Sequence, residues 1–501
     1  MPINMRPTIC FRFLGKSSCS WPQRRQLGQA EAPDGLQNMQ CAGDTACMVL
    51  AARVDGGLTA SRLGSSVSSG TKEGEVVSMH ISFPYANIDG LEIPDDLLGG
   101  VYGPQGSDLS TGPQAEAQRI AAGLAQPIGA PRLSEAARGA GSVLILCDDI
   151  TRQTPADRIL PLILQELQEA GIPESAVSLL IAGGTHRAMT QAELERKLGR
   201  DILARLRVTQ HAEDPALVDL GRTELGTPLQ LNRAVVEAEF VLGLGQIVPH
   251  RVAGFSGGAK IVQPGICGPA TTGATHWLSA RYDATEILGR VENPVRSELE
   301  QVAERAGLSY LVNVVLDGEA SVTQLFAGEF RAAFRAGAEA SRALYSARIP
   351  RRSPIVIVES FPADLELWQA AKGIYAGDMV VADGGTLILV SPCPEGVSVA
   401  HGVEILRHGY APYDTVAKAV AAHTISDLTV AAHLVHCGGL LARNVEVLLV
   451  CPGITPEETE ALGYRWAGSV SAAFSGACAR AGGCGETVIL RHGGDLLPVV
   501  G

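Results

Sequence analysis

The stretch VLILCDDITRQTP, Val143–Pro155, leads into Ala156–Ala170 with apolar residues at helical spacing, then the stop Gly171-Ile172-Pro173, then a second apolar run, Val177–Ile181. A short unbroken apolar run bounded by polar turn residues predicts a strand buried on both faces, and the segment between the two runs predicts an amphipathic helix. Strand, loop, helix and strand in that order build a parallel sheet covered by helices. The alternation continues outward. Gln191–Leu206 reads as one charged amphipathic helix opened by Thr190. Strands are expected at His80–Phe83, Ile355–Glu359, Thr386–Val390, Val445–Val450 and Val488–Arg491. The basic, proline-bearing segment Arg348–Pro354 marks a boundary. The expected fold class is therefore α/β, with two α/β domains and parallel-rich sheets.

Three polar clusters leave the ends of expected strands. Cys147–Pro155 follows Val143–Leu146, Gly183–Thr190 follows Val177–Ile181, and Trp368–Gly373 lies beyond Ile355–Glu359. Open α/β sheets place their ligands on loops at the carboxyl ends of strands. Asp, Thr and Gly also make ordinary turns and helix caps, so one cluster alone would decide nothing.

A fourth stretch, PHRVAGFSGGAK (Pro249–Lys260), gathers a histidine, a glycine-dense turn and a lysine, with His276-Trp277 following sixteen residues later. A phosphate-binding loop would need a glycine before the lysine and a hydroxyl residue after it. Here Ala259 and Ile261 stand in those places, and that reading fails.

Taken together and in this order, the four clusters resemble the nickel-pincer-nucleotide-dependent lactate racemase family, whose members are 2-hydroxy acid racemases and epimerases. The resemblance implies an isomerase with its active site in the cleft between two α/β domains. A 2-hydroxy acid, lactate or a related acid, would lose hydride from its α-carbon and pass through a planar 2-keto acid. The cofactor implied is a nickel pyridinium-3,5-bisthiocarboxylic acid mononucleotide derivative, covalently attached. Lys260 matches the tether and His276 the one protein ligand to nickel, a donor suited to a square-planar site. His186 and His250 match the catalytic bases, and imidazole both takes and returns protons near neutral pH. Arg152 and Lys372 match the substrate-carboxylate site, a planar fork and a point charge. Gln369, one turn before Lys372, is expected to share its helix face and hydrogen-bond the substrate, and Asp149 to orient Arg152 or a histidine. Partners implied are cofactor-synthesis and nickel-insertion proteins.

Other classes stay open at this point. A hydrolase or transferase could use Lys260 or Cys267 as nucleophile, provided a partner activates it. A non-catalytic nickel-nucleotide-binding protein would keep Lys260 and His276 without turnover. The chain has no H-E-x-x-H and no paired C-x-x-C, and His433 and His436, set among Leu434, Val435 and Cys437, read as core. Trp368 reads equally as pocket lining or packing between domains.

Composition narrows the field. The 501 residues suggest two or three domains, and 46% hydrophobic content excludes general disorder. A net charge of -13 argues against nonspecific nucleic-acid binding. Eleven cysteines without a framework pattern suit a reducing compartment. No apolar run approaches the roughly 20 residues of a membrane span, so a cytoplasmic protein is expected. Residues 1–78 have only weak periodicity, and Lys72-Glu73-Gly74-Glu75 requires purine-rich codons just before Met79, as a bacterial ribosome-binding site would. They are expected to be a non-native or disordered extension. The domains expected after it are 79–347, for catalysis and cofactor binding, and 348–484, with 485–501 returning to the first.

Overall fold

In a computed structural model the described residues are 77–106, 112–213, 216–483 and 485–501. The reading of residues 1–78 as an extension falls almost wholly outside them. Only its last two residues are described, and Ser78 already pairs with Pro94 in a small antiparallel ribbon, Ser78–Ile81 with Leu91–Pro94.

Val143–Cys147 is buried at every position, as a strand sandwiched between helix layers must be. It lies near the middle of a six-stranded sheet. The order across that sheet is Val322–Gly328, Leu308–Leu316, Phe240–Gln246, Val143–Cys147, Val177–Ile181, Arg207–Gln210. All neighbours are parallel except the edge strand Val322–Gly328. One face packs on Ala156–Glu169, whose Ile159, Leu160, Ile163 and Leu167 are fully buried.

The second sheet also has six strands. Their order is Arg465–Trp466, Glu446–Val450, Val381–Val390, Ser353–Glu359, Thr487–Leu490, Leu98–Tyr102, and every pairing is parallel. The fold is thus α/β with two parallel-rich sheets. In both, parallel strands send their following loops to one sheet edge, where the polar clusters sit.

Three expectations require correction. The last strand does not return to the first sheet: Thr487–Leu490 inserts between Ser353–Glu359 and Leu98–Tyr102, and Leu497–Val500 pairs with Ser346–Ile349. Leu98–Tyr102 instead crosses over from the N-terminal side, because the edge of Thr487–Leu490 offers unpaired backbone groups that must be covered. Arg348–Pro354 is mostly strand rather than linker, with only residues 350–352 between Ser346–Ile349 and Ser353–Glu359. Finally, Gln191–Leu206 is two helices, Gln191–Leu198 and Arg200–Arg205, broken where Gly199 takes φ 79°. Among the described residues, no helix is long and apolar enough to cross a membrane.

Candidate active site

Loops from both sheets line one cavity of about 620 Å³. The first sheet contributes Arg152, His186, His250, Lys260 and His276, and the second contributes Gln369 and Lys372. Arg152, His186 and Lys260 also line an adjoining cavity of about 460 Å³, into which Asp149 projects. All eight residues singled out in the sequence therefore come together.

The loop after Val143–Cys147 is held by a buried ion pair that the sequence did not reveal. Asp148 accepts from Lys197 Nζ at 2.8 Å, from Thr154 Oγ1 at 2.6 Å and from the Gln246 amide at 3.1 Å, while Lys197 also reaches the Arg152 carbonyl at 2.9 Å. Lys197 lies on a charged helix, and nothing in its spacing distinguishes it from a solvated lysine. Removing one partner of such a pair leaves an uncompensated buried charge. Lys197→Met is expected to cost about 3–5 kcal/mol of unfolding free energy, read from a denaturant titration.

Asp149, on the same loop, fixes His186. Its Oδ2 lies 2.6 Å from His186 Nδ1, and its Oδ1 accepts from the Thr151 amide at 3.1 Å and hydroxyl at 2.5 Å. Burial would push this carboxyl up, but His186, Thr151 and Arg152 outweigh it and hold Asp149 below the usual carboxylate range. An ionised carboxylate only accepts, so Nδ1 carries the proton. The lone pair of Nε2 is left for the cavity, where the Gln369 amide nitrogen donates to it at 2.9 Å. Gln369 Oε1 is buried without a partner, an acceptor free to take a hydroxyl.

His250 is held differently. The Val252 amide donates to its Nδ1 at 3.2 Å, so the neutral ring carries its proton on Nε2. Burial, then Lys260, Arg152 and Lys372, pushes its pKa well below that of ordinary histidine. The two histidines thus share a cavity but present opposite faces of acid–base chemistry, a lone pair from His186 and an N–H from His250.

The glycine-dense turn positions Lys260 by close backbone approach. Gly254 takes φ 78°, and a Cβ there would lie 1.9 Å from the Arg290 carbonyl oxygen; one on Gly257, φ 73°, would lie 2.6 Å from Asn313 Oδ1. Asn313 accepts from the Gly258 amide at 2.8 Å and donates to Gly245 at 3.0 Å, tying the turn to the sheet. Arg296 gathers the carbonyls of Ala253 (3.1 Å), Phe255 and Gly257 (3.2 Å) and stacks over Phe334. It lies on the distant helix Pro294–Arg305, so local sequence carried no sign of it. Burial first, then Arg152, Lys372 and Arg296, drives Lys260 well below the usual lysine pKa. The shift favours the neutral amine, which is the nucleophilic form.

His276 sits on Pro269–Ser279 and donates from Nδ1 to the Thr272 carbonyl at 2.9 Å. Burial, followed by Lys260, lowers its pKa to about 4. Its neutral ring therefore presents the Nε2 lone pair, and the backbone bond fixes the tautomer as it does for metal-ligating histidines.

Lys372 and Gln369 lie on Leu367–Val380. Burial, then Arg152, lowers Lys372 to about 7, with Asp495 and Asp149 opposing. Its charge is present below that value and lost above it. The KM for an anionic substrate is therefore expected to rise, by up to about tenfold per pH unit, as pH climbs through neutrality. Lys372→Arg should flatten the profile, because guanidinium stays charged.

Cys267 is not placed for catalysis. Its thiol is buried, donates to the Val262 carbonyl at 3.2 Å, and is pushed well above the ordinary thiol pKa by burial. His433 and His436, read as core, are buried on Leu428–Ala442 yet line the cavity. Trp368 lines it too and packs against His401 and His433 with tilted rings, centroids at 4.5 and 4.4 Å.

A carboxylate-held imidazole, a buried lysine with a lowered pKa and basic side chains share one cavity in an α/β fold, equipment suited to proton transfer on a small anion. Comparison with known proteins makes the class specific. Residues 87–287 match the model of the lactate racemase N-terminal domain. The chain is 31% identical over 308 residues to a lactate racemase of Lactiplantibacillus plantarum, covering 60% of this chain and 70% of that one. It is 30% identical over 335 residues to a lactate racemase of Thermoanaerobacterium thermosaccharolyticum, covering 65% and 76%. The structure of the lactate racemase apoprotein from the latter organism superposes with a TM-score of 0.73 at 26% identity, covering 84% of this chain and all of that one. The chain belongs to the lactate racemase family, a family of isomerases.

Proposed function

We propose that the protein interconverts the enantiomers of a 2-hydroxy acid, lactate or a related acid, by reversible hydride transfer through a 2-keto acid. The carrying observation is the coexistence in one cavity of the Asp149–His186–Gln369 chain with the buried amine of Lys260 and the His276 ring, held through its Nδ1 so that Nε2 is presented. We also propose that the two sheets mark two domains with this cavity as the cleft between them, the strands Leu98–Tyr102 and Thr487–Leu490 going with the second.

The residues present fit a lysine-tethered nickel-pincer nucleotide. A neutral amine is what an amide or thioamide link requires, and His276 offers one oriented imidazole. No cluster of three or more His, Cys, Asp or Glu able to hold a metal by itself occurs among the described residues, so nickel would draw its remaining donors from the cofactor. When bound, that group supplies the acceptor for hydride from the α-carbon. Nickel-insertion and cofactor-synthesis proteins are then required partners, and the protein works where those proteins are, in the cytoplasm.

The chain's own residues do the rest. Arg152 and Lys372 hold the substrate carboxylate. His186 Nε2 takes the hydroxyl proton as hydride departs; the Gln369 amide N–H that caps this nitrogen must give way, and it then donates to the hydroxyl oxygen. His250 offers its Nε2–H to the oxygen of the 2-keto acid; to act as base for the opposite enantiomer its proton must move to Nδ1, breaking the bond from Val252. Asymmetry between the two directions follows. Cofactor-loaded protein should racemise a 2-hydroxy acid from either enantiomer, followed by chiral chromatography; a loaded protein that binds the acid without interconverting it would be a binding protein instead.

A further inference from the structure

More basic side chains line the cavity than one carboxylate engages. Arg152, Arg251, Lys260 and Lys372 all line it, and none of the lining residues is acidic. Lys260 is taken up by the proposed cofactor tether, and Arg152 and Lys372 are assigned to one carboxylate. Arg251 is left over.

Arg251 is 8% exposed, and its Nη2 donates to the Tyr282 carbonyl at 2.7 Å. Its Nη1 is buried with no hydrogen-bond partner. Asp378 and Asp283 act on it only at longer range: Asp378 is paired with Arg443 at 2.5 Å, and Asp283 caps the helix Ala284–Ile287. A buried guanidinium nitrogen left unsatisfied is costly, and such groups are normally found with a partner.

Position matters as much as charge. At one end the cavity continues past Arg152, His186 and Lys260 into the adjoining cavity. At the other, Arg251 and His436 form the wall that separates it from a surface cavity lined by Tyr282, Asp283 and Tyr413. Arg152 and Arg251 therefore bracket the cavity. Thr429, Tyr375, His433 and His436 line the same cavity as Arg251, beside Val252 and Trp368.

We infer that the substrate is a 2-hydroxy acid whose side chain ends in a second carboxylate, with Arg251 Nη1 as the donor that receives it. This rests on the racemase reading for the chemistry at the α-carbon, but not for the binding of the second carboxylate.

The test uses full-length, cofactor-loaded protein and three acids, lactate, 2-hydroxysuccinate and 2-hydroxyglutarate, with Arg251→Met and Arg251→Lys beside the parent. One of the two dicarboxylates should exceed lactate in kcat/KM by at least about tenfold. Arg251→Met should collapse that preference by about 100-fold, the scale of one lost charged hydrogen bond, and Arg251→Lys should recover part of it. Calorimetric binding of the preferred dicarboxylate to the loaded protein should weaken in parallel. Turnover of lactate with no preference for either dicarboxylate would overturn the inference and leave the racemase reading standing. Arg251-dependent dicarboxylate binding without racemisation of any acid would support the inference and overturn that reading. Loss of nickel and cofactor from Arg251→Met, with the parent's preference absent, would assign Arg251 to the cofactor's phosphate and overturn the inference.

Discussion

Lys260→Ala is expected to yield a folded protein whose intact mass never exceeds that of the bare chain, however long it is incubated with cofactor and its loading proteins. Racemisation should fall by at least about four orders of magnitude, because the loss removes the reaction centre itself and not one contact to it. The reason lies in the amine's environment. Burial, then the nearby charges of Arg152, Lys372 and Arg296, pushes Lys260 well below the usual lysine pKa, which favours the neutral amine, the form that attacks a carbonyl carbon. Lys260→Arg should fail equally, since guanidinium remains protonated and is not a nucleophile. A mass shift of the cofactor on the alanine variant would remove Lys260 from its role. The turn around it is held by Asn313 and Arg296 through backbone groups, so neither substitution should disturb the fold.

Asp149→Asn carries the second large effect. The carboxylate at 2.6 Å from Nδ1 keeps the His186 proton on that nitrogen and the lone pair on Nε2. An amide can turn its NH2 toward Nδ1, which moves the proton to Nε2 and leaves nothing to accept from the substrate hydroxyl. The analogous exchange in serine proteases lowers turnover by about 10⁴ through the wrong tautomer, and a similar drop in kcat is expected here. Removal of His186 itself should cost about 10²–10⁴. The double variant should be little worse than the single ones, because the two residues act as one unit. Nickel content should stay at the parent's level throughout, since His276 and Lys260 are untouched. Near-additive losses in kcat would show that Asp149 and His186 work separately.

Local pattern carried most of the frame. Val143–Cys147 and Val177–Ile181 are short, apolar and bounded by turns, so strand identity, parallel pairing and the loops beyond them could be read directly. Asp149, Arg152 and His186 lie on loops that follow such strands, whereas Lys260, His276 in the last turn of its helix, and Lys372 stand out only through the family resemblance of their clusters. What escaped depends on contacts between distant segments. Arg296 acts on a turn some forty residues away, and Lys197 neutralises Asp148 across forty-nine. His433 and His436 sit in an apolar helix, and only its packing against Pro269–Ser279 and Leu367–Val380 shows that this face borders a polar cavity. The crossing of Leu98–Tyr102 into the second sheet left no periodic signal either, since Gly99 and Gly100 interrupt its alternation.

In the proposed reaction the hydrogen leaves the α-carbon as hydride, is kept, and returns to the same carbon. Racemisation of a 2-hydroxy acid by the loaded protein in heavy water tests it most directly. Complete racemisation with the α-position still carrying protium, read by mass spectrometry or proton NMR, is the predicted result. Deuterium entering the α-position as fast as the enantiomers interconvert would mean that the hydrogen leaves as a proton, and would contradict the account.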